Sequence, residues 1–172
     1  MKALAIVSPG KAEIIDLPKP SAGNGEVEIA LAFVGYCGSD LTSYRGLNPL
    51  VSYPRVPGHE VAGTIVGLGP DVAGLSLGQT VTVLPYFNCG VCRACRAGRE
   101  NLCPESTYTG WDADGGYAEY TAVPEGFAYR LPEGFDDATA APLLCAGIIG
   151  YRALRRAALP PGGVLGLYGF GG

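Results

Sequence analysis

Four of the six cysteines fall close together in CGVCRACRAGRENLC, as Cys89, Cys92, Cys95 and Cys103 with spacing C-x2-C-x2-C-x7-C. Thiolates this near one another suit a tetrahedral four-sulfur zinc site. A disulfide cluster is the alternative in a small secreted chain. An iron–sulfur site is a second alternative, because C-x2-C-x2-C followed by Cys103-Pro104 echoes bacterial ferredoxins. That motif places three residues before its last cysteine, and here the gap is seven. Four protein ligands leave no open position, so a zinc here is structural and its binding is part of the folding free energy. Arg93, Arg96 and Arg99 interleave the thiolates. They form either a solvated loop face or an offset to the negative charge of a zinc tetrathiolate.

A second constellation is dispersed. His59, the only histidine, stands in PRVPGHEVAG beside Glu60. Cys37 opens CGSDL directly after an apolar run, and Cys145 sits in PLLCAG where a helix begins. Taken singly, such cysteines read as small core residues, and a lone histidine as a structural or surface residue. Taken together, two cysteines and a histidine plus a water or substrate are the ligand set of a catalytic zinc with an open position. Spacing does not prove that the three converge. Ser39 and Asp40 read, without further context, as a capping pair at a short helical turn.

These residues need elements to carry them. The chain has 172 residues and 17.7 kDa, enough for one domain or one domain and the start of a second. It is 48% apolar, which supports a real core, and its 27 glycines and 14 prolines are scattered as turn punctuation. A net charge of −4 without any block of like charges argues against a nucleic-acid or anionic-membrane partner. The chargeless stretch at residues 138–151 is too short to span a bilayer and contains Pro142. The N-terminus lacks a secretory pattern, so a cytoplasmic location with reduced cysteines is expected.

Strands are expected at 2–7, 11–17, 26–34, 58–69, 79–86, 117–123 and 127–131. Val27, Ile29, Leu31 and Phe33 alternate onto one face of the third. Many short strands at close spacing imply a barrel or sandwich. Beyond Pro132, Asp136-Asp137 can cap a helix that runs on through residues 138–159 with a break near Pro142. VLGLYGFGG then reads as an apolar strand entering glycines.

The chain closely resembles the N-terminal catalytic domain of zinc-dependent, medium-chain alcohol dehydrogenases. The resemblance rests on CGSD at 37–40, GHE at 58–60, the cysteine lobe at 89–103, GGYAEY at 115–120 and GFGG at 169–172. It implies a mainly β, GroES-like, partly open barrel with short helices and a zinc-binding lobe, followed by the first strand of an absent Rossmann domain. On that reading residues 1–159 are the catalytic domain, with its lobe at 88–104, and residues 160–172 begin a truncated dinucleotide-binding domain. The resemblance implies two zincs per chain. Cys37, His59 and Cys145 hold the catalytic one, and Cys89, Cys92, Cys95 and Cys103 the structural one. Glu60 matches the acidic residue that approaches the zinc during ligand exchange. Asp40 matches the carboxylate that orients the histidine, and Ser39 the hydroxyl that starts the proton relay. Thr42 stands where some members carry the relay's outer histidine.

The implied activity is reversible oxidation of a primary or secondary alcohol to an aldehyde or ketone, with hydride transfer to NAD or NADP. The substrate is a small molecule, and the full-length family assembles as homodimers or homotetramers. Gly169, Gly171 and Gly172 match the opening of a dinucleotide fingerprint whose third glycine falls past the end of the chain. The 172-residue chain alone is therefore expected to bind zinc without dehydrogenase activity. SYRGLNPLVSYPRVPGHE resembles polyol dehydrogenases, while PLLCAGIIGYRAL and LGLYGFG resemble enzymes of simple alcohols, which rank first. Trp111, Tyr86 and Phe87 are candidates to line an apolar pocket, or are ordinary packing residues. A non-catalytic, zinc-stabilised GroES-like scaffold is the competing class.

Overall fold

The computed structural model describes residues 1–169. The chain opens on a hairpin of β1 (Lys2–Ser8) and β2 (Lys11–Asp16), turned at Pro9-Gly10 with Gly10 at φ +76°. A five-stranded antiparallel sheet follows, in spatial order β8–β3–β4–β5–β9. Its strands are β3 (Glu26–Gly35), β4 (Glu60–Leu68), β5 (Thr80–Val83), β8 (Tyr120–Pro124) and β9 (Ala128–Arg130). The sheet curls into a half-barrel, so the expected mainly β class with short helices holds. A separate pair, β6 (Tyr86–Phe87) and β7 (Thr107–Tyr108), brackets the cysteine lobe and its one-turn helix α2 (Arg93–Arg96).

β-branched residues fill the sheet's core. Val27, Ile29, Val61, Ile65, Val81, Val83 and Val123 are all buried, with Ala128 beside them. Such side chains pack well on a pleated surface. The expected single face of β3 fails at its end, where Phe33 is half exposed and Val34 packs on the core instead. A register shift between Leu31 and Phe33 is the cause, because one extra residue sends the following side chains to the opposite face.

Three further expectations are corrected. The 79–86 run is two strands, parted at Leu84-Pro85, since proline has no N–H for a ladder. The 117–123 strand begins only at Tyr120, because the preceding residues bond to β1 and to residues 56–58. Residues 164–168 form no strand and are exposed; among the described residues no neighbouring strand pairs with them. Gly171 and Gly172 lie outside the described residues.

Two helical segments carry site residues. Helix α1 (Gly38–Tyr44) has Cys37 at its N-cap, and Asp40 at its third position accepts the Cys37 N–H at 3.0 Å. Further on, α3 (Asp137–Ala140) runs into a 3-10 turn at Ala141–Leu144 and then α4 (Ala146–Ala157), the expected break near Pro142. The Thr139 N–H donates to Asp136 Oδ1 at 3.0 Å, so Asp136 supplies the cap. Ala140 and Ala141 are buried against Ala62 of β4 and Leu131. Their small side chains let this turn lie close on the sheet, which sets Cys145 at the start of α4 near the beginning of β4.

Candidate metal centres

The lobe sulfurs form a compact cluster, with Cys92 Sγ 3.5 Å from Cys95 Sγ and Cys103 Sγ 3.6 Å from Cys89 Sγ. A disulfide needs about 2.05 Å, so these are separate thiols. Sulfurs about 2.3 Å from a tetrahedral zinc stand about 3.8 Å apart, close to what is seen. Each sulfur also faces one N–H. Cys89 receives the Cys92 amide at 3.3 Å, Cys92 the Cys95 amide at 3.4 Å, and Cys103 the Cys89 amide at 3.5 Å. Cys95 receives the Asn88 side-chain amide at 3.4 Å. Donors of this kind favour the thiolate over the thiol. The sequence reading missed Asn88, although any thiolate cluster needs such donors. Arg93, Arg96 and Arg99 are exposed and make no ion pair among the described residues, which fits the solvated face.

The second cluster draws on three remote segments. One donor atom each from Cys37, His59, Glu60 and Cys145 lies within 4.8 Å of the others. Cys145 Sγ is 3.5 Å from His59 Nε2, the separation expected of a sulfur and a nitrogen about 2.3 and 2.0 Å from one tetrahedral ion. The donor chemistry and spacing therefore fit zinc. Cys37, His59 and Glu60 are buried, at 8%, 8% and 4% exposure. Burial, then Glu60 and Cys37, push the Cys145 thiol up to about 12.

Asp40 ties this cluster together. Its Oδ2 accepts the Cys37 amide, and its Oδ1 accepts the Gly58 amide at 3.3 Å and lies 3.6 Å from His59 Nδ1. Burial works against its charge, but the His59 ring and the two amides outweigh it and lower the carboxyl's pKa. The same contact raises His59 despite burial. The carboxylate that caps α1 through the Cys37 amide thus also lies beside the His59 ring. Ser39 takes no part in the cap, and its buried Oγ has no partner among the described residues.

Glycines explain why distant segments meet here. Gly58 adopts φ +93°, and a Cβ on it would come within 2.9 Å of the Tyr117 ring. A Cβ on Gly115 would meet Gly58 O at 2.3 Å, and one on Gly116 would meet Val61 Cγ1 at 2.2 Å. The GGY stretch therefore lies flat on residues 56–58, bonded through Gly115 N to Val56 O and Gly116 N to Gly58 O, both 2.7 Å.

A cavity of about 380 Å³ opens on Cys37, Ser39, His59 and Cys145. Its remaining wall is Pro85, Tyr86, Tyr108, Thr109, Trp111 and Ile149. Tyr86 and Trp111 line it as expected. Phe87 does not: the alternation of β6 turns it inward, where it packs on the sheet core and on Phe127, with ring centroids 5.1 Å apart. Tyr108, Thr109 and Ile149 were not singled out from sequence, because nothing local marks a loop residue that faces a remote cavity.

Residues 23–133 match the alcohol dehydrogenase GroES-like domain, and the chain belongs to that family. A probable alcohol dehydrogenase, AdhA, from Mycobacterium tuberculosis is 48% identical over 95% of this chain and 49% of its own length. L-galactonate-5-dehydrogenase from Escherichia coli is 45% identical over 83% of this chain and 42% of its own. A cobalt- and zinc-bound thermostable alcohol dehydrogenase from Pyrobaculum aerophilum superposes with TM-score 0.85 at 31% identity, covering 92% of this chain and 49% of that one. The chain spans about half the length of the curated relatives it matches. Among the described residues no helix is long and apolar enough to cross a membrane.

Proposed function

We propose that this chain carries the metal- and alcohol-binding half of a cytoplasmic zinc-dependent oxidoreductase. Its reaction is the reversible oxidation of a primary or secondary alcohol to an aldehyde or ketone, with hydride transfer to NAD or NADP. The observation that carries this reading is the convergence of Cys37, His59 and Cys145 on one point at the floor of a cavity. These three would hold a catalytic zinc, and Cys89, Cys92, Cys95 and Cys103 a structural one. The catalytic zinc supplies Lewis acidity that makes an alcohol easier to deprotonate.

The chain's own residues do the rest. Ser39 lines the cavity with an unpartnered hydroxyl, placed to accept the alcohol proton and pass it on. Thr42 is exposed and its hydroxyl donates to Gly38 O at 3.2 Å, so a proton taken up by Ser39 would pass on to water. Asp40 keeps His59 aimed by its Nδ1 side, as carboxylates do for metal-binding imidazoles. Glu60 is a fourth donor, near enough to exchange with a leaving ligand. The Pro85, Tyr86, Tyr108, Trp111 and Ile149 wall excludes water and favours alcohols with apolar substituents over polyols.

Residues 1–159 form the catalytic domain on this reading, and residues 160–172 begin the dinucleotide-binding domain. Gly169, at φ +88°, would open its phosphate turn. The complete enzyme is a homodimer or homotetramer. Metal analysis of the purified chain tests the proposal: two zincs per chain are expected, one removable by chelator without unfolding. One zinc, confined to the lobe, would favour the non-catalytic scaffold. The 172-residue chain by itself is expected to form no NAD(P)H from any alcohol.

A further inference from the structure

We propose that Tyr117 is a positioning residue for the remote metal centre: its hydroxyl, 3.2 Å from Asp40 Oδ2, fixes the carboxylate that aims His59. The inference rests on the reading of Cys37, His59 and Cys145 as metal ligands.

Asp40 is 5% exposed, so its oxygens depend on protein donors. Oδ1 faces the Gly58 amide and His59 Nδ1, while Oδ2 has the Cys37 amide at 3.0 Å and the Tyr117 hydroxyl. Removing that hydroxyl leaves Oδ2 with one donor and frees the carboxylate to rotate about its last torsion. Rotation would loosen both segments it spans, the Cys37 turn and the Gly58-His59 turn. The phenol has one proton and two acceptors in reach, Asp40 Oδ2 and Gly35 O at 3.3 Å. The charged oxygen is the stronger acceptor. Tyr117 is itself held by its backbone: its N–H donates to Pro57 O at 3.0 Å, and its carbonyl accepts from Leu4 N–H at 2.7 Å, the latter from outside both segments. It therefore braces Asp40 from a third piece of chain.

The test uses Tyr117→Phe, which keeps the ring beside Gly58. Cobalt(II) and zinc(II) are titrated into metal-free chain, and the two sites are separated by their visible spectra, since two-sulfur and four-sulfur cobalt absorb differently. The remote site is expected to lose about tenfold in affinity and to change its cobalt bands, with the lobe unaltered. In an Asp40→Ala background the same change is expected to add nothing. Unchanged affinity and spectrum, or an equal loss without Asp40, would overturn the inference. A wild-type chain that loads only the lobe would instead overturn the functional reading. Should Tyr117→Phe fold poorly, wild-type NMR decides. A slowly exchanging Tyr117 hydroxyl proton close to the Cys37 amide, the other donor to Asp40 Oδ2, supports the brace, and a freely exchanging one removes it.

Discussion

The two candidate metal centres are built in opposite ways. The lobe takes all its ligands from residues 89–103 and nearly all its N–H···S donors from the same stretch. None of residues 89–103 belongs to the sheet's apolar core, so on the proposed reading its shape would depend on an ion. The remote centre takes its ligands from the N-cap of α1, the turn before β4 and the start of α4, with Cys145 86 positions beyond His59. Its shape depends on the sheet. On the proposed reading the metal would organise the chain in the first case, and the chain would organise the metal in the second.

Four substitutions test this contrast. The largest effect is expected from Cys95→Ser, a buried lobe ligand. Zinc content falls by one per chain and limited proteolysis opens the 88–108 segment, while the sheet's circular dichroism survives. Cooperative loss of the whole fold would erase the distinction. Asp40→Ala comes next. Competition titration should show a 10- to 100-fold weaker remote site with the lobe constant. Gly116→Ala follows, because its Cβ would press on Val61 at 2.2 Å. Overpacking of this kind destabilises by about 1–3 kcal/mol, measurable by urea unfolding, and should weaken the remote site alone. Asn88→Ala is the smallest. It removes one donor to Cys95 Sγ, and a few-fold faster zinc loss from the lobe to a chelator is expected, with no change at the remote site.

The same contrast governs what could be read in advance. The lobe is legible as a string because its spacing is its geometry. The remote ligands are legible only through the company of CGSD and GHE, since nothing in their separation brings them together. Strand positions followed the apolar alternation, and the failures have local causes. Phe33 was misplaced by a bulge that alternation does not signal. Phe87 was misplaced because a two-residue strand offers no pattern from which to choose a face. Tyr117 went unnoticed as a polar residue because its partner lies 77 positions away. Pocket residues such as Tyr108 and Ile149 are defined by a cavity, and a cavity has no signature in one segment.

The loop at 108–114 carries a consequence of its own. It closes on itself, with Tyr108 N–H donating to Asp112 Oδ2 at 2.9 Å and the Trp111 and Asp112 amides returning to Tyr108 O. Asp114 then clamps its far end, accepting from Arg55 at 3.1 Å and from the Val56 amide at 3.0 Å. A self-closed cassette stitched at its exit can be exchanged for another of different size and polarity without disturbing the histidine turn it rests on. On the proposed reading selectivity and reactivity would then sit on separately replaceable parts, so a lineage, or an engineer, could retune which molecule is accepted while the chemistry stays untouched.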